Sequence, residues 1–231
     1  MNTIVIPAYN EAENIKKVVN AVLEQGAIEV IISDDGSTDG TLDIARSLKK
    51  SENVRLVSGK NQGKGAAIKR GLEKARGGVL GFIDADMSAH PRELSKLFKE
   101  IDEGTDIAIG PRDLPESIIP VKQPRFRRLL GNGYRTLARL LFKIDVRDFQ
   151  CGLKVFKREV WENINIDTDG FAFDTELIAK SHNMGYKLKE VPITWRDFPK
   201  SRVNPITDSV KMLFELIRIR YNLKKERAGV K

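Results

Sequence analysis

Val79-Leu80-Gly81-Phe82-Ile83-Asp84-Ala85-Asp86 is the stretch on which the fold turns. A brief apolar run ending in carboxylates reads as a buried strand that delivers charge at its carboxyl end. Thr3 to Ile6, Ile28 to Ser33, Val54 to Val57 and Asp106 to Ile109 are runs of the same kind, short and rich in Ile and Val. Amphipathic stretches separate them. In Asn14 to Gln25, Ile15, Val18, Val19, Val22 and Leu23 keep helical spacing, and Gly26 offers a stop. Thr41 to Leu48, Gly65 to Ala75 and Pro91 to Ile101 repeat the scheme, with Pro91 suited to a first turn after His90 or Ala89. This alternation predicts an α/β protein: a Rossmann-like, mostly parallel sheet with helices on both faces.

The chain has 231 residues, 41% hydrophobic and 31% charged, enough for a core and too apolar for disorder. One cysteine, Cys151, excludes a disulfide framework and multi-cysteine zinc sites. With only His90 and His182 besides, any bound metal is expected to take oxygen ligands. Forty basic against 32 acidic residues leave +8, which favours an anionic partner. The start Met1-Asn2-Thr3-Ile4-Val5-Ile6-Pro7 lacks a signal-peptide pattern, and no apolar run approaches a membrane span, so a cytoplasmic protein is expected.

Beyond Gly110 the pattern loosens. Pro111, Pro115, Pro120 and Pro124 mark a long loop, and a basic amphipathic segment, Arg125 to Lys143, follows. Leu153 to Phe156 and Leu188 to Ile193 read as strands, and Phe173 to Met184 as a helix. Asn204-Pro205 then opens a last helix. Ile206, Val210, Leu213, Phe214, Ile217 and Tyr221 make one apolar stripe of it, and Met212, Leu216, Ile219 and Leu223 a second, before Lys224, Lys225 and Arg227. Two readings fit this pattern: a helix packed on the sheet with a solvated basic end, or one that lies on an anionic membrane surface as a peripheral anchor.

In open parallel sheets ligands bind beyond the carboxyl ends of the strands. Asp84 and Asp86, on one side by strand alternation, can share a hard divalent cation, Mg²⁺ or Mn²⁺, that also neutralises a diphosphate. The competing reading is a capping carboxylate and a turn. Ser33-Asp34-Asp35-Gly36-Ser37-Thr38-Asp39-Gly40-Thr41 gathers three carboxylates at the same edge; Asp39 or Thr41 can cap the next helix, and Asp35 is the candidate contact to a ribose or base. Pro7-Ala8-Tyr9-Asn10-Glu11 adds an aromatic ring for stacking and a carboxylate acceptor, or else only a turn into a helix. Gly59-Lys60-Asn61-Gln62-Gly63-Lys64-Gly65 fails as a P-loop, because its glycines are too close and Gly65 stands where Ser or Thr would hold Mg²⁺. Lys64 either touches phosphate or is a solvated lysine at a helix start. Cys151 is read as a small packing residue.

Pro-Ala-Tyr-Asn-Glu (7–11), Asp-Asp-Gly-Ser-Thr-Asp-Gly-Thr (34–41), Asn-Gln-Gly-Lys-Gly (61–65) and Asp-Ala-Asp (84–86), in that order, resemble glycosyltransferase family 2, with its GT-A fold. Gly-Pro-Arg-Asp (110–113), Asp-Phe-Gln-Cys-Gly-Leu-Lys-Val-Phe (148–156), Phe-Asp-Thr-Glu-Leu (173–177) and Glu-Val-Pro-Ile-Thr-Trp (190–195) sharpen this toward the polyprenyl-phosphate branch. The chain is most similar to dolichyl-phosphate β-glucosyltransferases, then to dolichyl-phosphate mannose synthases.

The resemblance implies an inverting transfer of a hexose from a nucleotide sugar, UDP-glucose before GDP-mannose, to a polyprenyl (dolichyl) phosphate. It implies that Pro7, Tyr9, Glu11 and Asp35 hold the nucleoside, that Lys64, Asp84 and Ala85 line the nucleotide-sugar site, and that Asp84 and Asp86 bind the metal and carry catalysis. Ser88 stands where mannose synthases place a Gln that helps ligate metal. Arg112, Arg128 and Arg202 are the nearest matches to arginines presented to the acceptor phosphate, with Arg127 or Arg125 as substitutes for Arg128. Asp174 or Glu176 either orients an acceptor or an arginine, or serves a helix start. On this reading 1–203 is a catalytic domain, 1–110 its nucleotide-sugar half and 111–203 its acceptor half, and 204–231 is an amphipathic basic helix.

Two other classes compete. Asp84-x-Asp86-x-Ser88 also resembles the nucleophile loop of haloacid-dehalogenase-type phosphohydrolases, although that loop follows a first strand and this one a fourth. A non-catalytic binder fits the charge, but no interleaved aromatic and basic tract points to nucleic acid.

Overall fold

Side chains alternate across a strand, so a strand buried on both faces feeds two cores. In β1 (Asn2–Ala8), Ile4 and Ile6 enter one buried cluster and Val5 the other. β2 (Ile28–Asp34) does the same, with Val30 and Ile32 against Ile31. These two strands, with β3 (Val54–Ser58) and β4 (Val79–Ile83), run parallel in the order β3-β2-β1-β4. β6 (Leu153–Lys157) lies antiparallel beside β4, and β5 (Ile107–Ile109) and β7 (Leu188–Glu190) complete a seven-stranded sheet. The sheet is thus parallel but for β6.

The computed structural model describes residues 1–112, 114, 116–119, 125–196, 207–227 and 229, with the backbone alone at 125–129, 207–210 and 227. One face of the sheet carries α1 (Ile15–Leu23), α2 (Thr41–Leu48) and α4 (Leu94–Asp102), which bury Val18, Val19, Val22, Ala45 and Leu97. The other carries α3 (Lys64–Leu72), α5 (Arg125–Phe142), α7 (Phe173–Asn183) and α8 (Thr207–Arg227), around Phe82, Phe149, Phe156 and Phe173. His90 caps a 3₁₀ turn at Pro91–Glu93, its Nδ1 accepting from Arg92 N at 3.2 Å.

Some elements depart from expectation. The strand expected over Leu188 to Ile193 stops at Glu190: Val191 N still donates to Ile109 O, but Pro192 has no N–H to continue the ladder. Asp106 leaves β5 because its carboxylate takes Lys157 Nζ (2.6 Å) and Lys187 N (2.8 Å). A short helix, α6 (Arg158–Asn163), had no signal, since six residues are too few for a helical period to show. In α8, Met212, Leu216, Ile219 and Leu223 are buried while Leu213, Phe214, Ile217 and Tyr221 stand exposed, so packing uses one stripe and leaves the other uncovered. The expected cap Asn204-Pro205, the start of the stripe at Ile206, and Pro115, Pro120 and Pro124 lie outside the described residues; Val210 lies in α8 with its side chain outside them.

Candidate active site at the carboxyl edge of the sheet

Four parallel strands end on one edge, and the loops that leave them are tied together. Asn10, in the left-handed region at φ 55°, donates its N–H to Ser37 Oγ (2.9 Å) and accepts from Thr38 N at its Oδ1 (2.7 Å). Glu11 N donates to Thr41 Oγ1 at 2.7 Å, and Asp39 takes Ala12 N and Thr41 N. The N-cap of α2 is Gly40, with no side-chain cap, so Asp39 and Thr41, of which one was expected to cap it, instead join the first loop to the second. Asp35 is buried: its Oδ2 accepts from Gln62 N (3.1 Å) and Gly63 N (2.8 Å), and its Oδ1 pairs with Arg70 Nη2 at 3.3 Å. It braces the third loop, a role that its motif did not reveal, beside any contact to ligand. Pro7 and Glu11 are half-buried on this platform, and the Tyr9 ring is exposed at its rim.

Asp84 leaves β4 with its N–H bonded to Gly152 O at 2.9 Å. Its carboxylate lies over Gly152, where a Cβ would fall 1.9 Å from Asp84 Oδ2. Asp86 Oδ1 accepts from Ser88 N at 2.9 Å, and Met87 between them holds φ 61°, a strained conformation of the kind that recurs in ligand-binding loops. Ser88, where a Gln was the comparison, thus caps Asp86. Ala85 is buried in the core below.

Lys64 is not the solvated lysine that sequence left open. Its side chain is 14% exposed, with Nζ 2.8 Å from Asp84 Oδ1 and 3.3 Å from Asp174 Oδ2. The flanking glycines explain the approach. A Cβ at Gly63 or Gly65 would meet Asp169 O at 2.7 or 2.8 Å, so side chains there would push the chain before α7 away from the start of α3. Asp174 is buried and also takes Lys154 Nζ at 2.5 Å, while Lys154 donates to Cys151 O at 2.6 Å. The Phe82 ring packs beside both ammonium groups, its centre 5.7 Å from Lys64 Nζ and 5.3 Å from Lys154 Nζ. Burial opposes the charge on Lys64, but Asp174 and Asp84 outweigh it and raise its pKa. Burial raises that of Asp84, repulsion from Asp86 and Asp174 adds to the rise, and Lys64 opposes it. Asp174 therefore orients two lysines rather than an arginine. Glu176 accepts from Thr168 N (2.9 Å) and Thr168 Oγ1 (2.5 Å) and holds the loop before α7.

After β5, Arg112 forks onto buried Asp148, Nε to Oδ2 at 2.6 Å and Nη2 to Oδ1 at 3.0 Å, and stacks 5.5 Å from the Trp195 ring centre. A bridge between Ala89 and Trp195 carries that ring to the Asp84–Asp86 loop. Burial opposes the charge on Arg112, but Asp148 outweighs it and raises its pKa. Arg128 falls in α5 with its side chain outside the described residues, and Arg202 lies outside them altogether. Cys151 is buried and inert, its thiol pushed up to about 12 by burial.

Sequence reasoning quoted Asp148, Gly152, Lys154 and Trp195 in motifs and gave them no role. The one available signal was Lys154, a charge inside an otherwise apolar strand. Two carboxylate sources, Asp84 and Asp86, suit Mg²⁺ or Mn²⁺, which take one or two protein carboxylates and fill the remaining positions from phosphates and water. Among the described residues no three His, Cys, Asp or Glu side chains form a cage, so this fit depends on a diphosphate as co-ligand.

The family model for glycosyl transferase family 2 matches residues 3–164, which contain the loops after β1, β2 and β3 and the aspartate pair. The chain belongs to glycosyl transferase family 2. Among its relatives in this family, the glycosyltransferase AglD of Haloferax volcanii is 31% identical over 233 residues, 96% of this chain but 37% of AglD, so the chain spans little more than a third of that protein. The dolichyl-phosphate beta-glucosyltransferase of Dictyostelium discoideum is 28% identical, over 95% of this chain and 73% of its own length. The polyprenol monophosphomannose synthase of Mycolicibacterium smegmatis is 34% identical, over 84% and 77%. Glucosyl-3-phosphoglycerate synthase from Mycobacterium tuberculosis, crystallised with Mn²⁺, UDP and phosphoglyceric acid, superposes with a TM-score of 0.74 at 22% identity, over 100% of this chain and 79% of that one. The family's GT-A fold is thus the fold of this chain. Among the described residues no helix is long and apolar enough to cross a membrane.

Proposed function

We propose that this chain transfers a hexose from a nucleotide sugar to a polyprenyl phosphate with inversion, UDP-glucose being the favoured donor. The observation that carries the reading is the delivery of Asp84 and Asp86 at the carboxyl end of β4, where Lys64 Nζ stands 2.8 Å from Asp84 Oδ1. Tyr9 stacks on the base, Pro7, Glu11 and Asp35 line the nucleoside, and Lys64 and Ala85 flank the diphosphate. Asp84 and Asp86 hold Mg²⁺ or Mn²⁺, which when bound stabilises the charge of the leaving diphosphate.

Arg112, with Arg128 and Arg202, holds the acceptor phosphate, an anion that the donor would otherwise repel. Asp148 takes two of the Arg112 N–H groups and fixes the plane of the fork. The nucleophile is a phosphate oxygen, ionised near neutral pH because its second pKa is about 6, so no general base is needed. The exposed stripe Leu213, Phe214, Ile217 and Tyr221, followed by Lys224 and Lys225, supports a peripheral seat on an anionic, cytoplasmic membrane face, where a lipid acceptor is met.

The similarity to a mannose synthase keeps GDP-mannose as the second donor. The test is to incubate the chain with UDP-glucose, GDP-mannose and other UDP-hexoses, Mn²⁺ or Mg²⁺ and a polyprenyl phosphate, and to identify the lipid product. Asp86→Asn is expected to lower turnover by about 10²-fold or more, as loss of a transition-state charge stabiliser does. Full turnover by that variant at saturating metal and donor, or release of phosphate from simple phosphoesters instead of transfer, overturns the reading.

A further inference from the structure

An ammonium group and a divalent cation cannot both sit on one carboxylate oxygen at full strength, because their charges repel. Lys64 Nζ already stands 2.8 Å from Asp84 Oδ1. It is anchored from behind: Asp174 Oδ2 holds it at 3.3 Å, and Asp174 is itself held at its other oxygen by Lys154, fully buried and bonded to Cys151 O. Asp174 divides its charge between Lys154 and Lys64, so that only part of the charge of Lys64 is directed at Asp84, and Asp86 is the surplus negative charge of the cluster.

We propose that Lys64 is a placeholder cation, occupying Asp84 in the nucleotide-free protein and yielding it when a nucleoside diphosphate arrives, so that diphosphate and divalent metal load together. The inference rests on the reading above that Asp84 is a metal ligand. Lys64 suits the part by its build. Its backbone is fixed at the start of α3, while its four-carbon stem carries a point charge that can exchange a carboxylate for a phosphate oxygen without moving the helix. Asp174 and Lys154 are positioning residues, acting only through Lys64. The arrangement keeps the charge of Asp84 partnered between turnovers and discourages metal from binding where no diphosphate follows.

The test reads metal binding rather than turnover. Free Mn²⁺ is followed by its electron paramagnetic resonance signal as the full chain is added, alone and with UDP, with GDP in a parallel arm, each corrected for Mn²⁺ held by nucleotide without protein. Lys64→Met is expected to tighten nucleotide-free Mn²⁺ binding by about tenfold and to shrink the further gain from nucleotide, because a repelling unit charge is gone. Lys64→Arg keeps the charge and is expected to stay near wild type. Asp174→Asn removes the rear anchor and directs the whole charge of Lys64 at Asp84; it is expected to weaken nucleotide-free binding, and it carries the test should Lys64→Met fail to fold. Asp84→Asn separates the two levels. If it binds Mn²⁺ as wild type does, the metal-site reading itself falls. If it abolishes binding while Lys64→Met binds no tighter than wild type, or Asp174→Asn no more weakly, the placeholder falls and the site stands.

Discussion

Gly152→Ala puts a methyl group where the Asp84 carboxylate now lies. The added Cβ would stand 1.9 Å from Oδ2 and 2.4 Å from Cγ, whereas ordinary contact begins near 3.4 Å. Oδ2 must therefore retreat by 3.4 − 1.9 = 1.5 Å. The backbone at Gly152 has no positive φ, so alanine adds no strain of its own, and Asp84 can turn toward the open edge. A displacement of about 1 Å at a reacting centre costs about 10²-fold in rate, so turnover should fall by about that factor while the fold survives. The assay pairs steady-state transfer to polyprenyl phosphate with a thermal melt. Turnover within about threefold of wild type in a folded variant would show that Asp84 need not lie over Gly152. A melt lowered by about 10 °C or more, beyond what about 1 kcal/mol explains, would show that residue 152 serves folding instead.

Asp148→Asn leaves Arg112 with a neutral partner and should cost about 3 kcal/mol in urea unfolding at neutral pH, the low end for a broken buried pair. Burial would raise the pKa of Asp148, but Arg112 reverses this and holds it well below the carboxylate range. Its contribution is therefore complete above the unfolded value near about 4 and is lost as pH falls from there, so wild type and variant should converge in acid; a constant gap down to low pH would refute the pairing. Tyr9→Ala should raise the donor KM about fivefold or more with kcat nearly unchanged, since stacking a base on a ring contributes about 1–3 kcal/mol; a loss in kcat alone would move Tyr9 off the base. Phe214→Glu with Ile217→Glu should weaken sedimentation with anionic vesicles and leave the melt unaltered, both side chains being exposed; unchanged sedimentation would return that stripe to solvent.

The first four β–α units were legible because their signals are local. Each spells its strand in Ile and Val, its helix in apolar spacing and its loop in Asp, Gly and Asn; β4 ends where its run stops, β2 one residue later and β1 two residues later. The place of Asp84 and Asp86 just beyond β4 was readable for the same reason. What stayed hidden depends on contacts between distant segments. Asp35 looked like a ligand group because nothing near it in sequence shows that Gln62, Gly63 and Arg70 consume its oxygens. Lys64 stayed open between a phosphate contact and a solvated lysine because Asp174 lies 110 residues away. The glycines beside it looked like a defective P-loop, whereas they clear room for the backbone at Asp169.

β6 runs against its neighbours, and that reversal assigns work to a segment usually passed over. In the parallel strands the carboxyl edge receives whatever follows the strand; at β6 it receives whatever precedes it, and so Gly152 arrives beside Asp84 from upstream. Under the function proposed above, the two substrates are thereby served by separate grammars along one chain, and changes grafted into 143–150 would reshape the lipid side while the nucleotide loops keep their own wiring.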